Sequence, residues 1–263
     1  MSTGDAPSLL DQDQPTDSDS HPPTRSPQPS PAERFRALIE VTLCSGFPTQ
    51  LALILVLAMI GAAPPGGTLP LFYVVVLSLA DAVLVLGLIW VLLRAHGERP
   101  VAMFLGVRPI GREATLGLLL VPAALLLVAA AFSLLLQVAP WLHNVTENPL
   151  EALIDSPLNA AAFALIAVVA GGVREEVQRA FVLSRFETHL GGPAVGLIVF
   201  SVAFGLGHLV QGRDAAIVTG LLGAFWGILY LKRRSIVGPV VCHAGFNLTE
   251  VLIAYNVATS AAS

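Results

Sequence analysis

Seven stretches dominated by apolar residues recur along this chain, at 47–63, 69–93, 116–138, 158–188, 194–210, 215–231 and 236–255. Each is at least about 17 residues long, the lower end of the range for helices that cross a hydrocarbon layer about 30 Å thick. Inside lipid the backbone must satisfy its own hydrogen bonds, so runs of this kind are expected to be helices rather than open strands. Composition agrees, because 55% of the residues are hydrophobic, only 12% are charged, and mean hydropathy is +0.76. A soluble domain would carry about 25% charged residues. The expected fold class is all-α: a polytopic transmembrane helix bundle of about seven spans forming one domain, residues 33–263.

The first 32 residues have a different character. They are rich in Pro, Ser, Thr and Asp, with only Leu9-Leu10 as an apolar pair, and such a segment buries too little apolar surface to fold alone. A disordered tail, 1–32, is expected, with no basic start and apolar core of the kind a cleaved secretory signal needs. Its Ser26-Pro27-Gln28-Pro29-Ser30-Pro31 run reads as a tether. An amphipathic stretch, 33–43, leads into the first span.

Charge placement excludes some functions and suggests an orientation. Net charge is -4, and beyond the acidic tail the chain is close to neutral, so nucleic acid is not an expected partner. Bases gather at Arg34 and Arg36, at Arg94, Arg99, Arg108 and Arg112, and at Lys232-Arg233-Arg234, while 64–68 and 140–149 have none. Under the positive-inside rule this places the N-terminus and the basic loops in the cytoplasm of an integral membrane protein, with a bacterial plasma membrane as the expected location. Cys44 and Cys242 stand far apart in no metal-like or redox spacing and read as small apolar fillers.

Against that background Arg174-Glu175-Glu176-Val177-Gln178-Arg179 stands out, directly after the apolar run 160–172. An ionisable side chain near a bilayer centre costs at least about 2.5 kcal/mol, so these groups are expected to face a protein interior or a wet cavity. Glu175 and Arg179 are four apart and can pair on one helix face, with Glu176 turned by about 100°. An arginine favours the charged form of a nearby carboxylate and apolar burial disfavours it, a competition that can set a general base. Two later spans carry further polar groups, Phe204-Gly205-Leu206-Gly207-His208 and His243-Ala244-Gly245-Phe246-Asn247. Three such constellations on one bundle can find partners away from lipid by meeting.

An acid pair with arginine, then Phe-x-x-x-His, then His-x-x-x-Asn on successive spans resembles the CPBP (Abi) family of intramembrane proteases, which includes the type II CAAX prenyl endopeptidases. The motif core spans 158–256, and Phe104-Leu105-Gly106-Val107-Arg108 resembles a segment common upstream in that family. The family pattern is Glu-Glu-x-x-x-Arg, whereas here two residues separate the acids from Arg179. Aligned on the acids, Glu175 is the first family glutamate; aligned on Arg179, Arg174 takes that place, Glu175 the second, and Glu176 is unmatched. The first alignment is preferred, with Glu175 as base and Glu176 as its support.

The resemblance implies an endopeptidase acting on a membrane-associated protein or peptide, such as a prenylated CAAX-type substrate. Glu175 and His208 would activate water, His243 and Asn247 would stabilise the oxyanion, and Arg179 would hold a carboxylate. The resemblance fixes no cofactor, and a metal mechanism stays open: Zn(II) held by Glu175, His208 and His243 is the alternative. The rival functions are a catalytically inactive immunity or scaffold protein of the same fold, and a transporter using the acids as a proton relay, for which no internal repeat is visible. Ideal spans place His208 on the order of 15 Å from the depth of the other groups. Asp81 and Glu250 read as packing or mouth-facing groups, Gly220, Gly223 and Gly227 as a close-contact helix face, and Trp141, Trp226 and Tyr230 as interfacial anchors. Asn144-Val145-Thr146 matches a glycosylation triplet of low specificity.

Overall fold

The computed structural model describes residues 1, 28–62, 64, 70–146 and 148–261. Most of the expected tail lies outside the described residues. Its end does not: a helix starts at Pro31, where Ser30 and Glu33 bond reciprocally to each other's backbone N–H in a capping box. The first helix therefore begins slightly before the expected boundary at residue 33. Among the described residues there are helices and no strands.

In chain order the main helices are α1 (Pro31–Leu43), α2 (Phe47–Met59), α3 (Leu71–Ala95), α4 (Pro100–Phe104), α5 (Ile110–Val138), α6 (Pro157–Ile166), α7 (Glu175–His189), α8 (Pro193–Leu206), α9 (Arg213–Arg233) and α10 (Val237–Ala261). Between α6 and α7 the chain is π-helical over Ala167–Arg174, so α6, this wider turn and α7 form one continuous rod. Every apolar run of the sequence contributes a helix. Five segments are by themselves long and apolar enough to cross a membrane: Leu71–Ala95, Ile110–Val138, Pro157–His189, Arg213–Arg233 and Val237–Ser260. A sixth appears if α1 and α2, bent by 44°, count as one. The remaining run gives α8, whose 14 residues span only about 21 Å.

Small residues set how closely the site-bearing helices approach. A Cβ on Gly220 would touch the Ser201 carbonyl, one on Gly223 would press into the Phe204 ring, and one on Gly227 would strike Leu197. This glycine face of α9 receives α8, as the sequence suggested. On the other side Gly117 of α5 faces the Gly238 carbonyl and Val241 of α10, and Gly245 of α10 faces Val121. Phe181, Leu183, Trp226 and Cys242 fill the interior, each no more than 1% exposed. Trp226 and Tyr230 are thus core residues rather than interfacial anchors, while Trp141 is 71% exposed. Both cysteines are buried and unpaired with each other.

Ionic clasps tie the two ends of the bundle. At the basic end Arg233 binds Glu113, Arg234 binds Glu187, and the Phe104 carbonyl accepts the Ile236 N–H at 2.7 Å. The 104–108 segment is therefore the strap on which the α9–α10 turn rests. At the opposite end His143 Nδ1 lies 2.7 Å from Asp214 Oδ2, and Asn144 Oδ1 accepts the Arg213 N–H at 2.8 Å. The asparagine of the glycosylation triplet is engaged in holding the start of α9.

Candidate active site

The π-helical stretch delivers the acid pair. Gly171 and Gly172 lie in it because α10 passes so close that a Cβ on Gly171 would collide with Asn247 Nδ2, and one on Gly172 would press on Ala244. The Ala167 carbonyl accepts the Asn247 side-chain N–H at 3.0 Å. Widened turns of this kind recur at functional sites, and here the turn ends where the carboxylates begin.

Glu176 is the buried member of the pair. Its side chain is 1% exposed and its Oε1 accepts both from Arg179 Nη1 and from His243 Nδ1, the latter at 2.8 Å. The expected Glu175–Arg179 pair is not the one formed. Arg179 is one helical turn from either acid, but it turns toward Glu176 because its guanidinium lies in an aromatic cage, with the Phe204, Phe200 and Trp226 ring centres 4.9, 5.1 and 5.6 Å away. The ion pair thus joins Arg179 to the second acid, three residues before it.

Glu175 is left the more accessible, with 18% of its side chain exposed and its Oε2 3.8 Å from His243 Nε2. That gap exceeds a hydrogen bond and is narrow enough for a single water to touch both groups. Among the described residues no closer ion pair reaches this carboxylate. His243 is consequently held between the two acids, and its ring stacks on Trp226 with centroids 3.6 Å apart and planes at 15°. Because Nδ1 faces a carboxylate and a carboxylate only accepts, Nδ1 carries a proton, and Nε2 donates only when the ring is an imidazolium.

His208 joins the same neighbourhood by an unexpected route. Its helix stops at Leu206, so the imidazole sits in the turn that follows rather than farther along a full span. The Phe204 ring centre lies 4.9 Å from that of His208 and 6.3 Å from that of His243, so one aromatic ring borders both imidazoles. His208 Nδ1 donates to the Phe204 carbonyl at 2.8 Å. That bond leaves the Nε2 lone pair of the neutral ring available to accept a proton.

Two contributors escaped the sequence reading. Trp226 reads from the sequence as an anchor, although it lies seven residues inside Arg233, too deep for a headgroup position. Arg174 has its partner on α3: its guanidinium binds buried Asp81, which also accepts the Thr49 hydroxyl from α2. Asp81 is therefore a packing group, in an ion pair whose members lie 93 positions apart. Glu250 is exposed and takes no part. Among the described residues no three His, Cys, Asp or Glu side chains are placed to hold one ion.

Neither a curated protein nor a solved structure matches the chain. A family model does: residues 157–249 match the family described as "Type II CAAX prenyl endopeptidase Rce1-like". That stretch runs from the start of α6 into α10 and contains Glu175, Glu176, Arg179, His208, His243 and Asn247, and over it the chain is similar to that family.

Proposed function

We propose that the protein is an intramembrane endopeptidase that hydrolyses a peptide bond of a membrane-associated protein or peptide, a prenylated C-terminus being one such substrate, by carboxylate-activated water. The observation that carries this reading is the unequal pair: Glu176 Oε1 accepts from both Arg179 and His243, while Glu175 stands 3.8 Å from His243 Nε2 without an arginine of its own. A carboxylate so placed is free to accept a proton from water.

In the proposed reaction water enters between Glu175 and His243. Glu175 takes its proton, with His208 Nε2 as the second acceptor, and the oxygen adds to the substrate carbonyl carbon. The oxyanion that forms is met by the second Asn247 amide hydrogen, the first being held by Ala167, and by Nε2–H of His243 as imidazolium. Donors of this kind contribute about 3 to 4 kcal/mol in the transition state. Collapse breaks the C–N bond, and the amine leaves with the proton held by the acid. Arg179 keeps Glu176 charged, which in turn orients His243. No step passes through a metal. The basic ends of the bundle are assigned to the cytoplasm together with the N-terminus.

The test is the purified protein in detergent with a library of membrane-tethered fluorogenic peptides, prenylated and unprenylated. Cleavage that disappears in Glu175→Gln and His208→Ala is the expected result. A library left intact by the wild type, or cut equally well by both variants, would overturn the proposal.

A further inference from the structure

We propose that Asp81 is a positioning residue whose task is to hold Arg174 away from Glu175; the inference rests on Glu175 being the base. Around the site three carboxylates meet two arginines. Arg179 takes Glu176 and Arg174 takes Asp81, so the unmatched carboxylate is Glu175. Arg174 is its immediate neighbour in the chain. On a helix adjacent side chains point about 100° apart, and Arg174 uses that divergence to reach between α2 and α3.

The receiving place is specifically shaped. Asp81 is 2% exposed and Arg174 7%, and the two carboxylate oxygens divide their work, Oδ2 accepting from Arg174 and Oδ1 from the Thr49 hydroxyl. Gly46, between α1 and α2, has φ +85°, and any Cβ there would run into Arg174 Nη2. The bend between these helices thus leaves room for a guanidinium.

Arginine stays charged even when buried and must find an anion. With Asp81 neutralised, the carboxylate nearest along the chain is Glu175, whose ion-pair contact among the described residues is with His243 at 3.8 Å. A guanidinium on that carboxylate would occupy the lone pairs that take the proton from water. Asp81 is therefore a decoy anion, and it acts on the reaction through Arg174 without touching substrate.

The experiment is a rescue cycle on the full-length protein, using the library peptide that the wild type cuts fastest. Asp81→Asn, which keeps the shape and the Thr49 hydrogen bond, is expected to lower kcat at least tenfold with KM within about threefold. Adding Arg174→Met is expected to recover most of the lost kcat, because the mispaired guanidinium is gone. Asp81→Glu, which restores the anion, should also retain activity. A double variant no faster than Asp81→Asn, or an Asp81→Asn enzyme with full kcat, overturns the inference. Glu175→Gln in the same series separates the two proposals: if it still cleaves, the reading of the base fails; if it is dead while the double variant is not rescued, only the role of Asp81 fails.

Discussion

His243 Nδ1 and Arg179 Nη1 converge on one oxygen, Oε1 of Glu176, the imidazole at 2.8 Å. That shared acceptor links α7 to α10 through a charge buried from water. It gives the two neighbouring glutamates different surroundings, and it makes their substitutions distinguishable.

Removing the Glu176 carboxylate leaves Arg179, 0% exposed, without a counter-ion. Glu176→Ala is expected to destabilise the fold by about 3 to 5 kcal/mol, seen as a large drop in the thermal midpoint in detergent. Glu175→Gln should change stability by no more than about 0.5 kcal/mol and still reduce hydrolysis at least about a hundredfold. Equal stability losses in the two variants would contradict the division.

Gly171 gives a second handle, since its added Cβ would displace Asn247 Nδ2 and come within 4.0 Å of His243 Nε2. Gly171→Ala is expected to cost about 10²-fold or more in kcat, the size of a lost oxyanion donor. Gly87→Ala in α3, where a Cβ meets nothing within 4 Å, should instead be neutral or stabilising by up to about 1 kcal/mol. Peptide turnover together with thermal unfolding of both variants checks the contrast.

Trp226 supports both His243 and Arg179 with one ring. Trp226→Ala opens a cavity expected to cost about 3 to 5 kcal/mol, whereas Trp226→Phe keeps a stacking face and should retain most of the stability. The kcat of Trp226→Phe is expected to fall while KM holds, because the ring orients an imidazole and does not receive substrate.

With no three-ligand set among the described residues, hydrolysis should survive exhaustive chelation within about twofold. Metal analysis of the purified active protein should find well under one equivalent of zinc. Loss of activity on chelation with recovery on adding zinc would overturn the metal-free mechanism.

Much of the fold could be read from the chain because hydrophobic length is a one-dimensional property: each apolar run became a helix, and the glycine face of α9 met α8 as spacing alone suggested. What could not be read depended on geometry across space or on helix type. Nothing in Ala167–Arg174 announces i→i+5 winding, since the same residues suit an α-helix. The four-residue step from Glu175 to Arg179 suggested one ion pair, and an aromatic cage built from α8 and α9 selected another. Asp81 and Arg174 find each other across 93 positions, and α8 ends early enough to bring His208 back toward its partners. The candidate residues were visible in the sequence; their pairing was not.

The π-helical stretch has a further consequence for how this chain tolerates change in length. One residue of α-helix corresponds to about 100° of rotation, so inserting or deleting a residue between 167 and 174 would swing Glu175 off the face that meets α10 even if every side chain were kept. Composition in that stretch is negotiable wherever space allows, but its residue count is not. The segment behaves as an indexing element, and a single added or missing residue would silence the protein more surely than many of the substitutions around it.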